Sequence, residues 1–143
     1  MSMTPAEFIL SIDDIINDEV DIPVQELQQK LALDGLKGVV LKSPVGNPDL
    51  WKGPAPAGYV GGRFRANWNV GVGSKDLSTS VDIDKSGGST ISKGASEINN
   101  TEAYQIIWLT NNLPYASRLE DGWSTQAPGG MVALAFAELS SIK

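Results

Sequence analysis

The stretch from Ser43 to Gly62 constrains this chain more than any other. Pro44, Pro48, Pro54 and Pro56 are interleaved with Gly46, Gly53, Gly58, Gly61 and Gly62. Proline removes a backbone donor and fixes φ, and glycine raises the entropic cost of order, so neither a helix nor an interior strand can run through it. Ordered loops of this length are uncommon in a compact domain and usually serve a function. Leu50, Trp51 and Tyr59 are large apolar groups that gain by docking on a surface, so 43–62 reads as an extended arm or a loop fitted against a neighbour. It divides the chain into a helical N-terminal part, 1–42, and a C-terminal part of mixed pattern.

In the first part, Thr4 can cap, Pro5 suits a first turn and Glu7 follows three residues after the cap. Phe8, Ile12, Ile15 and Ile16 recur at helical spacing, which predicts a helix from about Pro5 to Asp18. A second helix is predicted from Ile22-Pro23, where Val24, Leu27, Leu31, Leu36 and Val40 form one apolar stripe. Gly35 and Gly38 weaken that helix locally and mark a place where another backbone packs close.

In the second part, Phe64, Ala66, Trp68, Val70 and Val72 alternate with Arg63, Arg65, Asn67, Asn69 and Gly71, the period of a half-buried strand. A short strand is expected at Ser78–Ile83, a turn at Ser86–Ser89 and a small helix at Ile91–Ile98. Tyr104–Leu109 is rich in strand formers and is stopped by Thr110-Asn111-Asn112 and Pro114. Met131–Ile142 reads as a final helix with Val132, Phe136 and Leu139 on one side. With 143 residues, 41% of them hydrophobic, the chain 1–143 suits a single domain with one core. The expected class is α+β: a small antiparallel or mixed sheet packed with about four helices, plus the long Pro/Gly-rich arm.

Composition removes many functions. The chain has neither cysteine nor histidine, which excludes disulfides, thiolate or imidazole zinc sites, cysteine nucleophiles and histidine acid/base chemistry. A formal charge of -6 has the wrong sign for gripping nucleic-acid phosphates. The charge is uneven: residues 1–34 hold eight acids against Lys30 alone, while the remainder balances to +1. Such an acidic segment, with Asp13 and Asp14 at its centre, is a solvated helix face or a surface past which DNA slides without sticking. The first residues lack a basic region followed by an apolar stretch, and no window approaches a membrane span, so a cytosolic protein or an assembly built in the cytosol is expected.

Possible catalytic and metal constellations are weak. Glu120 and Asp121 are adjacent, so their side chains diverge and cannot flank a bond as paired carboxylates must. Asp82 and Asp84 share a face if extended, yet the spaced oxygen ligands of a calcium loop are missing. Gly58, Gly61 and Gly62 lack the Gly-Lys-Ser/Thr ending of a phosphate loop. No catalytic, cofactor-binding or metal-binding residue is therefore assigned, and no enzymatic activity is expected. Arg63 and Arg65 form either an outward polar face or a carboxylate-pairing surface between subunits. Among the tryptophans, Trp68 and Trp108 fall in predicted strands and are expected in the core. Trp51 and Trp123 fall in loops and, with Tyr59, Arg63 and Arg65, are the interface candidates.

Four segments carry a resemblance. Ser43-Pro44-Val45-Gly46-Asn47-Pro48 comes first, followed by Gly61-Gly62-Arg63-Phe64-Arg65-Ala66-Asn67-Trp68. Next are Leu109-Thr110-Asn111-Asn112-Leu113-Pro114-Tyr115-Ala116-Ser117-Arg118-Leu119-Glu120-Asp121-Gly122 and Gln126-Ala127-Pro128-Gly129-Gly130-Met131-Val132. In this order they resemble the neck and tail-completion (head-tail joining) proteins of tailed bacteriophages, over roughly residues 40 to 140. The motif positions are Pro44, Gly62, Asn112, Pro114, Tyr115, Glu120, Gly122, Pro128 and Gly130; Gly46–Val60 is an elaboration, and Trp123 stands where a polar residue is usual. Asn112 and Pro114 are suited to the turn that ends a strand, and Pro128 and Gly130 to the start of the last helix. The resemblance implies a virion structural protein without cofactor, assembled in the host bacterial cytoplasm. It would form a homo-oligomeric, hexameric ring between connector, neck and tail-tube proteins, with DNA passing through unbound and no membrane contact. A tail terminator or other minor tail protein is the nearest alternative; a small-ligand binding module and a cell-wall hydrolase are the alternatives of another class.

Overall fold

The computed structural model describes residues 23–47 and 53–140, and its longest element is the helix α1, Val24–Lys42. The predicted first helix, Asp13 and Asp14 within it, and Leu50 and Trp51 lie outside the described residues. The predicted apolar stripe is the buried face of α1, with Leu31, Leu36 and Val40 each 2% exposed or less. The helix stops at Ser43, whose ψ of 134° is the extended value forced on a residue before proline. Gly38 permits the close approach its sequence suggested: a Cβ there would stand 2.9 Å from the Cβ of Ala135 on the last helix.

The predicted strand over 63–72 is shorter than expected. Arg63–Ala66 is a one-turn helix, α2, and only Trp68–Val72 is strand β1. Phe64 and Trp68 are four apart, a spacing that shares a face in a helix and in a strand alike, so the apolar pattern did not separate the two. Backbone geometry decides it. Gly62 takes φ +112°, its carbonyl accepts the Ala66 N–H, and the Asn67 amide donates back to the Arg63 carbonyl.

β1 pairs antiparallel with β2, Ile107–Asn111, in a register that sets Trp68 against Asn111 and Val72 against Ile107. β2 begins later than the predicted Tyr104 because Tyr104 has φ +68°, outside the strand region. One face of this two-stranded sheet carries Val70 and Leu109 onto the helices, and Trp68 and Ile107 are buried there. The opposite face carries Asn67, Asn69, Gly71, Trp108, Thr110 and Asn112, and the chain covers it with its own segment 74–80. Asn69 donates to the Ser78 carbonyl, Thr110 to that of Asp76, and Asn112 to both. Asn67 holds both the N–H and the carbonyl of Ser80. The predicted strand Ser78–Ile83 is thus extended chain whose backbone is tied by side chains, not by a ladder. Trp108 lies on this covered face, half-buried with the Lys75 ammonium 4.9 Å from its ring centre, and is not a core residue as expected.

Gly88–Asn99 is helix α3, one turn wider than its prediction, and it packs on α1 and β1 through Gly94, where a Cβ would fall 2.3 Å from Leu36 Cδ2. Ala116–Glu120 is the short helix α4, and Val132–Ser140 is α5. Leu119 of α4 packs against the core. Five helices and a two-stranded antiparallel sheet among the described residues make this a small α+β fold.

The described flanks of the Pro/Gly arm lie against each other. A Cβ on Gly46 would meet the Tyr59 hydroxyl, and one on Gly61 would fall 2.1 Å from the Gly46 carbonyl oxygen.

Candidate functional site

The four segments singled out in the sequence are far apart along the chain and meet in the structure. Pro44 is buried, and the neighbouring Ser43 hydroxyl donates to the Val39 carbonyl at 2.6 Å while accepting the Trp68 indole N–H at 2.7 Å. Arg65 clamps the same corner: its guanidinium donates to the carbonyls of Leu41, Ser43 and Lys85. Val45, in turn, exchanges two bonds with the Gln126 side chain through its N–H and its carbonyl. The Asn111 amide reaches the Phe64 carbonyl, and the Phe64 ring stands 5.9 Å from that of Tyr115 and 6.0 Å from that of Trp68. Pro114 and Tyr115 form the turn that leads into α4, closed by the Ala116 N–H on the Leu113 carbonyl.

Glu120 is the centre of the last two motif segments. Its carboxylate accepts the backbone N–H groups of Met131 and Val132 on one oxygen and of Ala133 on the other, at 2.9 to 3.0 Å. These are the donors left without a partner in the first turn of α5, and a negative charge there also meets the favourable end of the helix dipole. Gly130 has φ +81°, and a Cβ there would stand 2.6 Å from the Glu120 carbonyl oxygen; Gly122 has φ +88° and the same clearance to the Pro128 carbonyl. Glu120, Gly122, Pro128 and Gly130 therefore make one closed knot. With both oxygens engaged by backbone, Glu120 holds the fold in place of proton transfer.

Asp84 does for α3 what Glu120 does for α5. It accepts the Gly87 N–H on one oxygen, and the Thr90 N–H and hydroxyl on the other. Burial alone would raise its carboxyl, but the bonds from Thr90, Gly87 and Ser86 outweigh that and hold it below the ordinary carboxylate value. Asp84 is thus a helix cap. Among the described residues no group of three or more metal-ligating side chains comes together.

The interface candidates separate into two kinds. Arg65 is turned inward, its terminal nitrogens on three carbonyls and its buried Nε without a partner among the described residues, and the Arg63 guanidinium, though exposed, donates to the Ser80 carbonyl. Tyr59 is 38% exposed and rests on Gly46. Trp123 is 76% exposed, with the Arg118 guanidinium 5.7 Å from its ring centre. Tyr104 was not singled out in the sequence and is equally exposed. Its loop is pinned by α1: Gln25 and Gln29 donate to the Thr101 carbonyl, while the Gln28 amide takes the Tyr104 N–H and donates to the Gln105 carbonyl. Its positive φ was the missing signal, and sequence does not display it.

An apolar groove of about 320 Å³, open to solvent, lies beside β2. Phe64, Trp68 and Leu109 line it together with Ala116 and Glu120 of α4, Met131 and Val132 at the start of α5, and Lys75 and Leu77 from the covering segment. No helix among the described residues is long and apolar enough to cross a membrane. Comparison with family models, curated proteins and solved structures finds no match for this chain.

Proposed function

We propose that this chain is a structural subunit of a tailed-bacteriophage particle that assembles as a ring at the junction of head and tail, completing the tail so that the head can join. The supporting observation is the placement of the two most exposed aromatic side chains among the described residues. Tyr104 and Trp123 are each 76% exposed. The first belongs to a loop fixed to Gln28 near the start of α1, and the second precedes Gln126, which is fixed to Val45 just beyond its end. From Gln28 to Lys42 the helix rises about 20 Å, so the two loops are anchored towards opposite ends of α1. Aromatic groups are the usual anchors of interfaces, and ring closure needs two different surfaces on every copy. The knot around Glu120 gives the loop that carries Trp123 a rigid base. A net charge of -6 suits a channel wall that DNA passes without binding.

The groove beside β2 is the feature that favours a small-ligand module instead. Small-molecule sites enclose most of their ligand, whereas this groove is open to solvent and suits an elongated occupant better.

Electron microscopy of lysates from the parent phage with this gene silenced, then complemented, tests the proposal. Filled heads beside separate tails of normal length are the expected result. Overlong tubes would make the protein a terminator of tail growth, and intact infectious particles would overturn the reading.

A further inference from the structure

The β1–β2 register fixes which backbone groups of β2 point away from its partner. Gly73 stands opposite Ile106 in that register, and its N–H donates to the Ile106 carbonyl at 2.8 Å. Opposed residues of an antiparallel ladder alternate between exchanging bonds and turning outward. Trp108 and Thr110 therefore bond to β1, while Ile107, Leu109 and Asn111 turn their N–H and C=O groups to the other side. Among the described residues these outward groups have no hydrogen-bond partner. Ile107 is only 4% exposed, and the groove lies beside the Leu109–Asn111 part of this edge, with α4 and the start of α5 as its far wall. A bare edge beside an apolar groove is the arrangement that accepts another strand by main-chain pairing.

We infer that the β2 edge takes up residues 79–83 of a second copy of this chain as a third strand. The inference deepens the ring reading and rests on it for the presence of the second copy. Residues 79–83 have what such a strand needs. The Ser80 backbone is tied inward by Asn67, whereas the N–H and C=O groups of Thr79 and Val81 have no partner among the described residues. Val81 and Ile83 are 81% and 49% exposed. In an extended strand these two fall on one face with Thr79, where the apolar floor of the groove would cover them. Asp82 falls on the other face, beside the Lys75 that lines the groove, an opposite-charge pair across strands. Asn67 holds the segment over the sheet face of its own copy, so it cannot reach its own β2 edge. Donor and acceptor are different surfaces of one chain, and their pairing repeats from copy to copy, as a ring requires.

The native chain has no cysteine, so single-cysteine variants report this contact cleanly. Ser117 of α4 lines the groove, and Val81→Cys and Ser117→Cys are mixed in equal amounts and oxidised. The expected product is a disulfide-linked dimer containing one of each, at least about tenfold above either variant alone, because the contact joins two different surfaces. Cross-linking of Ser117→Cys with itself would mean a symmetric β2–β2 contact and overturn the inference. Thr79→Pro removes one outward N–H, and Val81→Lys places a charge against the groove. Both should keep the circular-dichroism spectrum of the parent and lose its assembly in sedimentation. If the parent assembles and both variants assemble equally, without the mixed disulfide, strand addition is wrong while the ring reading stands. A parent chain that stays monomeric at every concentration overturns both.

Discussion

The knot around Glu120 and the segment 77–83 are both without regular secondary structure over much of their length, yet they treat their polar groups in opposite ways. In the knot, a carboxylate, two glycines of positive φ and a proline carbonyl are closed on one another. In the segment, side chains of the sheet hold alternate backbone groups, while Leu77, Val81 and Ile83 face solvent. The four segments singled out in the sequence thus build a frame and line the groove beside β2, whereas the exposed side chains of 77–83, Tyr104 and Trp123 lie outside them. Substitutions in the first region should therefore change stability, and substitutions in the second should change assembly.

The largest stability effect is expected for Glu120→Ala. It strands three N–H groups at the start of α5, and bonds to a charged acceptor are the strong ones, so a loss of about 3 kcal/mol is expected in urea unfolding. Gly94→Ala should cost about 2 kcal/mol by overpacking, because its new Cβ would press on Leu36 and Val70; an unchanged midpoint would mean that α3 can shift away without penalty. Asp84→Asn should cost about 1 kcal/mol as a weakened cap and should also alter the acid limb of the stability curve. The folded carboxyl lies below its ordinary value of 3.8. Its contribution is therefore full above that value and is lost as pH falls through the lower folded one. Parent and variant should converge in acid and separate as pH rises. The smallest change in stability, below about 0.5 kcal/mol, belongs to Trp123→Ala on the exposed surface, which should nevertheless weaken assembly measured by sedimentation. A Trp123→Ala variant that assembles normally would break the comparison from its second side.

The arm sharpens the same contrast. Gly46 and Gly61 already touch, so removing 46–60 asks the chain to close only a short gap. The shortened protein should fold and fail to assemble; normal assembly would show that the arm has no part in the contact between copies.

Elements with one dominant period were legible in the sequence. The stripe of α1 is long enough for a single face to emerge, and Gly38 was correctly read as a close approach. Arg63–Ala66 was read as strand because Phe64 and Trp68 satisfy both periods, and the deciding φ of Gly62 leaves no mark in an apolar pattern. The two helix starts show the same limit. Asp84 lies three and six residues before the groups it binds, within reach of local reading, while Glu120 reaches forward eleven to thirteen residues across a turn. Its adjacency to Asp121 argued against paired-carboxylate catalysis and gave no sign of the helix it holds. Tyr104 was hidden for a related reason: three glutamines of α1 fix its loop, and nothing in its own neighbourhood announces them.

Assembly is the claim on which the rest depends, and negative-stain electron microscopy of the purified chain tests it most directly. Closed rings of uniform diameter with a central opening are the predicted result. Fields of single small particles, or open filaments of indefinite length, would contradict it.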